Sequence, residues 1–506
     1  MRILHNFHLY FTFSVQRIRF RIYLEMTQEI PSRPLLSDPS ENNTINDQFI
    51  DEEKVDKKKK IIFNSLLAAI FILCFAMTTL VCWYFFYVPK EDKMLEFVYI
   101  NDIHIDPKYA PNSHPTSVTS CRTPVEGEVE HKFGQYGCDT PNETFLSMLE
   151  EIPKVSKNPK FILYGGDVPA HKLDLDIDHN RELINWTISK ISSLYPNIPV
   201  LFSLGNNDYV PNYGNADGSN DVENFESVSQ VLKPFMNDDQ LASFKKGGYY
   251  YHDFPEAKLR ILVLNTVIYN TYRNYEDGDF KDDPYGQFKW IRNTCEEAQK
   301  NGYSIGASIH IPPGCTYSSG NNTKLNQGWL EPYMIEFDKI VKDYDISFTI
   351  AGHSHYDLMI PLYSPNGVSK GYSLSAPSIS PQHSNNPSFR VYQVNKGQLY
   401  DFQQYYADLM MNPNTSLEWQ LEYSFRDAYN VDKITTETIT EAVNWIKTTG
   451  EGRWRYLERM TSRAADNGKF YYCILISTTQ EEIQKCLGPL TSANSLSKYF
   501  PYGGER

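Results

Sequence analysis

The sequence predicts an α/β fold, a layered β-sheet sandwich flanked by helices, because short apolar stretches alternate with stretches of helical periodicity. Five apolar stretches have the length of strands, and each runs into a polar residue that can bind a metal: LEFVYIN, FILYGG, PVLFSLG, SIGASI and ISFTIAG. Helical periodicity is visible between them, for example in TFLSMLEEIPKV and GQFKWIRNTCEEAQK. Since functional sites in such sheets gather beyond the strand ends, we expect the polar residues to form one site.

The segment before the first strand is predicted to cross a membrane. Residues 61–88 contain no charged residue, and their number exceeds the roughly 20 that a transmembrane helix needs. A cleavable signal peptide would lie at the N-terminus and have a shorter apolar core; a buried core helix is the remaining alternative. Lys57 to Lys60 precede the segment without a break, and the positive-inside rule puts such a cluster in the cytosol. We therefore expect a single-pass type II membrane protein.

The rest of the chain is predicted to form one large domain and a small helical lobe. We expect a cytosolic tail at residues 1–60, the transmembrane helix at 61–88, a catalytic domain at 94–405 and a C-terminal helical lobe at 406–506. Helical periodicity in the lobe is visible in ITTETITEAVNWIK, YLERMTSRAA and EEIQKCL. The basic and apolar stretch before Met26 leaves two alternatives open, a membrane-surface segment or an upstream extension of a chain that starts at Met26.

Six of the eight cysteines follow the predicted transmembrane segment, in a compartment where disulfides persist. Six cysteines allow fifteen connectivities, and pairing between sequence neighbours is the simplest: Cys121 with Cys138, Cys295 with Cys315, and Cys473 with Cys486. A zinc cluster is the alternative, but the sequence contains no CxxC. Glycosylation sequons also follow the segment, at Asn142, Asn185, Asn321 and Asn414.

The polar residues at the strand ends suit a pair of metal ions. Asp102 and His104 are two positions apart, so both side chains face the same way on an extended segment. Asp167 follows two glycines that allow a tight turn, and its carboxylate can bridge two cations. Histidines and carboxylates with one amide oxygen suit zinc, with manganese or iron as alternatives. Two such ions about 3.5–4 Å apart hold a phosphoryl group and activate a water for attack.

The motifs follow one another along the chain as DIH, GD, GNND, H and GHSH. This order resembles the pattern D-x-H, G-D, G-N-H-D/E, H and G-H-x-H of the calcineurin-like metallophosphoesterase superfamily. Other segments resemble its acid sphingomyelinase-like phosphodiesterase branch, among them INDIHIDPKY, FGQYGCDTP, GGDVPAH, HIPPG and NNPSFRVYQ. The resemblance covers roughly residues 95–490. It does not include the saposin-like module of acid sphingomyelinase, because residues 1–60 lack six cysteines and the necessary length.

The resemblance implies a role for each matching residue. It implies a first metal held by Asp102, His104, Asp167 and His355, and a second held by Asp167, Asn206, His310 and His353. The catalytic residues are then Asn206 and His171, the latter as the acid that protonates the leaving group. The chain departs from the family at Asn207, where a histidine usually stands, and we expect its amide to donate a hydrogen bond to a phosphoryl oxygen. His383 in SPQHSNNP is a candidate substrate contact.

The predicted function is hydrolysis of phosphate esters in a vacuole, lysosome or other endomembrane lumen, or outside the cell. The resemblance implies a phosphodiesterase acting on phosphocholine lipids or nucleotide-derived substrates, and the missing saposin-like module favours soluble ones. An endopolyphosphatase is an alternative, because similar type II proteins carry GNND, although the site-bearing loops contain few Lys or Arg for a polyanion. A catalytically inactive ectodomain and a structural membrane anchor leave the complete ligand pattern unexplained. The net charge of −14 argues against nucleic-acid binding.

Overall fold

The computed structural model describes residues 42–87, 94–115, 121–276, 278–319, 324–362, 371–411, 415–460 and 468–487. The chain forms two compact units, Met1–Lys90 and Glu91–Arg506. In the first unit, helix α1 spans Asn42–Tyr87, and its section Lys54–Trp83 is long and apolar enough to cross a membrane. The predicted segment 61–88 lies within α1 except for residue 88, which is outside the described residues, as are residues 1–41 of the predicted cytosolic tail.

The second unit is built on two large sheets. Its strands, in the described ranges, are β1 (Leu95–Ile100), β2 (Phe161–Tyr164), β3 (Val200–Phe202), β4 (Tyr250–Phe254), β5 (Leu259–Val263), β6 (Ser304–Ser308), β7 (Cys315–Ser319), β8 (Lys324–Gln327), β9 (Ile346–Ala351), β10 (Leu358–Pro361), β11 (Tyr372–Ser375), β12 (Ser388–Asn395), β13 (Gln398–Ala407) and β14 (Trp419–Ser424). Strands β1, β2, β3, β6 and β9 confirm the five predicted strands.

Each large sheet has a parallel centre, and the two sheets face each other. The first has the strand order β14-β13-β12-β1-β2-β3 and the second β10-β11-β9-β6-β5-β4. Strands β1, β2 and β3 run parallel, and so do β5, β6, β9 and β11. Across the interface, the rings of Phe161 and Phe254 stack at 4.4 Å, and Ser203 Oγ lies 2.7 Å from Ser308 Oγ. Because these serines follow or end β3 and β6, the parallel strands of both sheets end at the same edge of the predicted sandwich.

Helices lie between the strands as the sequence predicts. The described ones are α2 (Asn142–Val155), α3 (Ile177–Ser192), α4 (Asp221–Leu232), α5 (Asp238–Gly247), α6 (Gly278–Asp282), α7 (Gln287–Lys300), α8 (Glu331–Asp343), α9 (Phe425–Tyr429), α10 (Thr436–Thr448), α11 (Gly450–Arg459), α12 (Gly468–Ile476) and α13 (Gln480–Leu487). Side chains cap the N-termini of several helices. At the start of α3, for example, the Asp176 side chain accepts a hydrogen bond from the backbone N of His179, as N-cap residues do.

The sequon residues Asn142 and Asn185 are exposed on α2 and α3, whereas the other two sequons lie outside the described residues.

The first sheet extends beyond the predicted domain boundary at residue 405. Strand β13 ends at Ala407 and β14 adds a further strand, so the helices begin only at Phe425. The helices α12 and α13 are joined by the predicted disulfide Cys473–Cys486. Tyr356 and Leu358 pack with these cysteine-bearing helices in one apolar cluster. The C-terminal helices therefore support the chain that leaves β9, although the division into two domains stays a prediction.

Two of the three predicted disulfides are present. Besides the bond between α12 and α13, Cys121 pairs with Cys138. The third prediction is wrong, because Cys295 is a free, buried thiol, and the side chain of Cys315 is outside the described part. Cys295 lies on the inward face of α7 with Ile291 and Ala298 in the apolar core, one helical turn to either side. Burial raises the pKa of this thiol to about 12, as expected of an inert core cysteine.

Candidate active site

The loops at the shared sheet edge have an uncommon backbone conformation. Residues with positive φ, between 46° and 68°, occur at five of the predicted ligand positions: Asp102, His104, Asp167, His353 and His355. Residues with a side chain rarely adopt this region. Each such residue costs on the order of 1–3 kcal/mol of stability and persists only where the surrounding structure holds it. Backbone bonds provide that support, since Asp102 N donates to Gly166 O at 3.0 Å and His104 N donates to Asp167 O at 3.2 Å. The backbone of these loops therefore directs the side chains toward a common point.

A first group of side chains converges around two imidazole nitrogens. The Nε2 atoms of His104 and His355 lie 3.1 Å apart, and His355 Nε2 is 3.6 Å from Asp102 Oδ1. His104 Nδ1 donates to the carbonyl oxygen of Pro169 at 2.9 Å, which leaves the Nε2 lone pair facing the group. Donor atoms around a tetrahedral ion with bonds of 2.0–2.1 Å are about 3.4 Å apart. This group is therefore able to hold a metal ion.

A second group lies beside the first, around His310. His310 Nδ1 donates to Gly165 O at 2.7 Å, and its Nε2 lies 3.1 Å from Asn206 Oδ1. The amide of Asn206 is oriented by its Nδ2, which donates to Asn212 Oδ1 at 3.0 Å, so its oxygen faces the group. A ring nitrogen of His353 lies within 4.8 Å of the ligand atoms of Asp167 and His310. This group too has the donor types and spacing of a metal site.

Asp167 belongs to both groups. Its Oδ2 is 3.6 Å from His104 Nε2 and 3.3 Å from His310 Nε2. Burial alone would raise the pKa of Asp167, but the neighbouring His310 outweighs it and the pKa is well below its usual range. Asn207 donates to the same carboxylate from its backbone N at 2.7 Å and from Nδ2 at 2.8 Å. Both of these Asn207 hydrogen bonds support the shared carboxylate, whereas the bond from Asn207 to a phosphoryl oxygen stays a prediction.

Asp208 completes the GNND turn without facing the two groups. It accepts from the backbone N of Gly205 at 2.7 Å and from those of Asp167 and Val168 at 2.9 Å each. Burial and then the nearby Asp167 carboxylate raise the pKa of Asp208. A Cβ at Gly205 would lie 2.1 Å from Asp167 Oδ1, so only glycine fits there. These contacts give Asp208 the role of holding the turn in shape.

His171 lies against the first group and is held by a buried carboxylate. Its ring stacks on that of His104 with centroids 4.0 Å apart. His171 Nδ1 lies 3.0 Å from Asp139 Oδ1, and the His171 backbone N donates to Asp139 Oδ2 at 2.8 Å. Ser380 Oγ also donates to Asp139, at 2.9 Å. Burial would raise the pKa of Asp139, but its contact with His171 outweighs this and lowers the pKa, so the carboxylate stays ionised and accepts the Nδ1 proton.

His383 lies on the same side as His171. Its ring centroid is 4.5 Å from that of His355 and 6.5 Å from that of His171. Tyr356 Oη donates to the carbonyl oxygen of His383 at 3.1 Å. Burial, followed by the charge of His171, lowers the pKa of His383 to about 3, so its ring is neutral. This placement agrees with a lining position at the site.

Comparison with known sequences decides the family. Residues 95–357 match the calcineurin-like phosphoesterases, and residues 373–452 match the acid sphingomyelin phosphodiesterase C-terminal region. The chain belongs to the calcineurin-like phosphoesterase family. It is accordingly a hydrolase of phosphoric esters with histidine and aspartate groups able to bind metal ions.

Curated relatives of this phosphoesterase are phosphodiesterases by name. Human acid sphingomyelinase-like phosphodiesterase 3b is 28% identical over 354 residues, which cover 66% of this chain and 76% of the relative. Human cyclic GMP-AMP phosphodiesterase SMPDL3A is 28% identical over 356 residues, covering 68% and 77%. Sphingomyelin phosphodiesterase A of Dictyostelium discoideum is 28% identical over 424 residues, covering 79% and 69%.

Sequence reasoning about this phosphoesterase missed the residues that orient the predicted ligands and acid. Asp139 is in the segment FGQYGCDTP, which carried part of the resemblance, but no role was assigned to it. Asn101 was also missed; its Nδ2 donates to Asp102 Oδ2. The available signals in the sequence are that Asn101 precedes Asp102 and that Asp139 lies in a segment of the resemblance. Neither reveals its partner, because the bond from His171 to Asp139 joins loops 32 positions apart.

Proposed function

We propose that the chain hydrolyses phosphodiesters at a centre of two divalent cations, zinc first and manganese or iron as alternatives. The first cation would be held by Asp102, His104, Asp167 and His355, and the second by Asp167, Asn206, His310 and His353. The observation that carries the proposal is the sharing of Asp167 Oδ2, which lies 3.3 Å and 3.6 Å from one nitrogen of each group. When bound, two such cations clamp a phosphoryl group and activate a water.

His171 is proposed to protonate the leaving oxygen. Asp139 accepts the Nδ1 proton of His171, which fixes the ring and leaves Nε2 to hold the proton that is transferred. A buried carboxylate also stabilises the charged ring, as in other histidine–carboxylate pairs. A side chain that acts in this way is a general acid, and Asp139 is its positioning residue. Asn207 cannot take the acid role because an amide does not titrate near neutral pH.

Substrates are proposed to be phosphodiesters with an organic group on each side, of the nucleotide or phosphocholine kind. The names of the relatives, which act on sphingomyelin or cyclic GMP-AMP, support this class. An endopolyphosphatase is the second candidate, favoured by the Asn207 of GNND. A polyanion needs unpaired cationic side chains along its path. Arg122 lies beside the site, where it donates to the His171 carbonyl, but it is paired with Asp106 at 2.8 Å, which counts against this candidate.

The test uses the full chain in detergent, stripped of metal by a chelator and reloaded with one metal at a time. We expect turnover of a cyclic dinucleotide or of micellar sphingomyelin after reloading, and little shortening of long-chain polyphosphate on a gel. Turnover of polyphosphate alone would establish the second candidate. If no reloaded form turns over any of the three substrates, the catalytically inactive ectodomain replaces both proposals.

We propose that the second unit is lumenal or extracellular and that α1 is a type II membrane anchor. The cluster Lys57 to Lys60 precedes the apolar residues of α1, and the exposed sequons at Asn142 and Asn185 suit a glycosylating compartment. Protease added to sealed vesicles should remove only the chain before residue 61 and leave a large glycosylated fragment on an immunoblot. Digestion of the second unit from the cytosolic side would reverse the orientation.

A further inference from the structure

Two tyrosines lie beside the second group of the site. Tyr213 follows the GNND turn, where its backbone N donates to Asn206 O at 2.9 Å, and Tyr272 lies on the loop after β5. Their rings are in T-shaped contact with centroids 4.9 Å apart, and the ring of Tyr213 also meets that of His353 edge-on at 6.4 Å. Tyr272 is 56% exposed. The tyrosine pair, Tyr213 and Tyr272, thus forms an open aromatic surface next to the site.

A buried ion pair fixes the loops that carry the tyrosine pair. Arg273, the neighbour of Tyr272, donates to Asp221 Oδ1 at 2.9 Å and to the carbonyl oxygen of Asn215 at 2.7 Å. Both partners of the ion pair are buried. A Cβ at Gly214, where φ is 68°, would lie 2.8 Å from Asp221 Oδ1, so the loop passes too close for another residue. The aromatic surface is therefore held in place before a ligand arrives, which lowers the entropic cost of binding.

We propose that the tyrosine pair binds a nucleobase on the part of the substrate that stays attached to the phosphate, an inference that rests on the proposed phosphodiesterase function. In diester hydrolysis, one ester oxygen leaves with a proton and the other organic group remains on phosphorus. The leaving oxygen has to reach His171, which lies against His104 of the first group. The tyrosine pair lies against His353 of the second group. The organic group that remains on phosphorus is therefore the one that reaches the tyrosine pair.

A nucleobase fits this surface better than a quaternary ammonium does. A flat ring needs only one exposed aromatic face, and stacking on it is worth about 1–3 kcal/mol per base. An ammonium group is held by several aromatic faces or by negative charge. The acidic side chain behind the pair, Asp221, is already paired with Arg273, and the third ring, His353, belongs to the proposed metal site. The pair thus offers the exposed ring of Tyr272 without a free Asp221 carboxylate beside it, and one such ring is what a base requires.

Three esters with the same leaving group test the inference: thymidine 5′-(4-nitrophenyl phosphate), methyl 4-nitrophenyl phosphate and 4-nitrophenyl phosphorylcholine. Tyr272→Ala should lower the ratio of kcat/KM for the thymidine ester to that for the methyl ester about 5- to 150-fold, the range of base stacking. Tyr272→Phe keeps the ring and should keep the ratio. Trp454→Ala, a matched control at an aromatic residue that is 45% exposed on α11, should not change it. Calorimetry should show weaker binding of thymidine 5′-monophosphate to Tyr272→Ala by a similar factor, relative to inorganic phosphate.

A ratio for Tyr272→Ala within twofold of the wild type overturns the inference. A loss confined to the choline ester also overturns it and assigns the pair to an ammonium group. Equal weakening of nucleotide and inorganic phosphate binding would show that the substitution only disturbs the loop. If the wild type hydrolyses none of the esters while Tyr272→Ala still binds the nucleotide selectively more weakly, the proposed phosphodiesterase function fails and the nucleobase subsite stands.

Discussion

The two sides of the site differ in the chemistry that their side chains can perform. The histidine side consists of His104, His171, His355 and His383, and the amide side consists of Asn206, Asn207, His310 and His353. On the histidine side, a ring backed by a buried carboxylate can carry a proton, whereas the amides of the other side do not titrate near neutral pH. Asp167 is shared by both sides. From this difference we propose that proton transfer takes place on the histidine side while the amide side holds the phosphoryl group.

The difference also explains how the chain manages without the usual histidine of the third motif. Asn207 donates two hydrogen bonds to the shared carboxylate. This position therefore supports another residue of the site, whereas a histidine here would face the substrate. His171 lies on the opposite side and already has a positioning residue in Asp139. We therefore propose that the acid of this site has moved from one side to the other.

The largest effect is expected at Asp167, which the two sides share. Asp167→Asn should lower kcat/KM by more than about 100-fold, because an amide bridges two cations far less well than a carboxylate and even a supporting partner of a ligand costs 10–100-fold. At least one bound metal should be lost in elemental analysis. Asp174→Asn, the same charge change at an exposed loop residue, serves as the control. Retention of both metals with near-normal turnover would contradict the shared role.

The next effect is expected on the histidine side alone. His171→Ala should slow hydrolysis of alkyl diesters about 10²–10⁴-fold, the usual contribution of a general acid. The same variant should slow nitrophenyl esters much less, because nitrophenolate leaves without a proton, and its metal content should stay normal. The comparison is made as kcat/KM for the two ester classes. Equal slowing of both would make His171 a phosphate-binding or structural residue.

A smaller effect with the same signature is expected at Asp139. Asp139→Asn keeps the shape but removes the charge that holds His171 Nδ1, and hydrogen bonds to charged groups are worth about 1.5–3 kcal/mol, or roughly 10- to 100-fold. The loss should again be greater for alkyl esters than for nitrophenyl esters. Ser380→Ala removes a neutral donor to the same carboxylate and should cost less than Asp139→Asn. An equal loss for both ester classes would mean that Asp139 supports only the loop.

The sequence predicts most of the amide side and the residues proposed as metal ligands, but not the support of the histidine side. Each ligand directly follows an apolar strand, so local patterns sufficed to predict β1, β2, β3, β6 and β9 and the side chains at their ends. The bond between Asp139 and His171 depends on how two loops pack, which no local pattern encodes. The wrong pairing of Cys295 has a similar cause, because proximity in sequence ignored the inward face of α7. The bonds from Asn207 to Asp167 were also not predicted, because that contact is a tertiary property.

The smallest effect is expected at Asn207, on the amide side. Asn207→Ala removes the bond from Nδ2 to Asp167 but keeps the backbone bond, which still holds the carboxylate, so we expect a loss of about 3- to 10-fold, below the usual range for a hydrogen bond to a charged group. The loss should be the same for alkyl and nitrophenyl esters, since no proton is transferred on this side. Asn301→Ala, which truncates an exposed amide after α7, is the control. Asn207→His sharpens the comparison, because a second acid should add nothing where His171 already protonates the leaving oxygen. Faster hydrolysis of alkyl esters by Asn207→His would show that the acid had not moved and that the histidine side alone does not supply the proton.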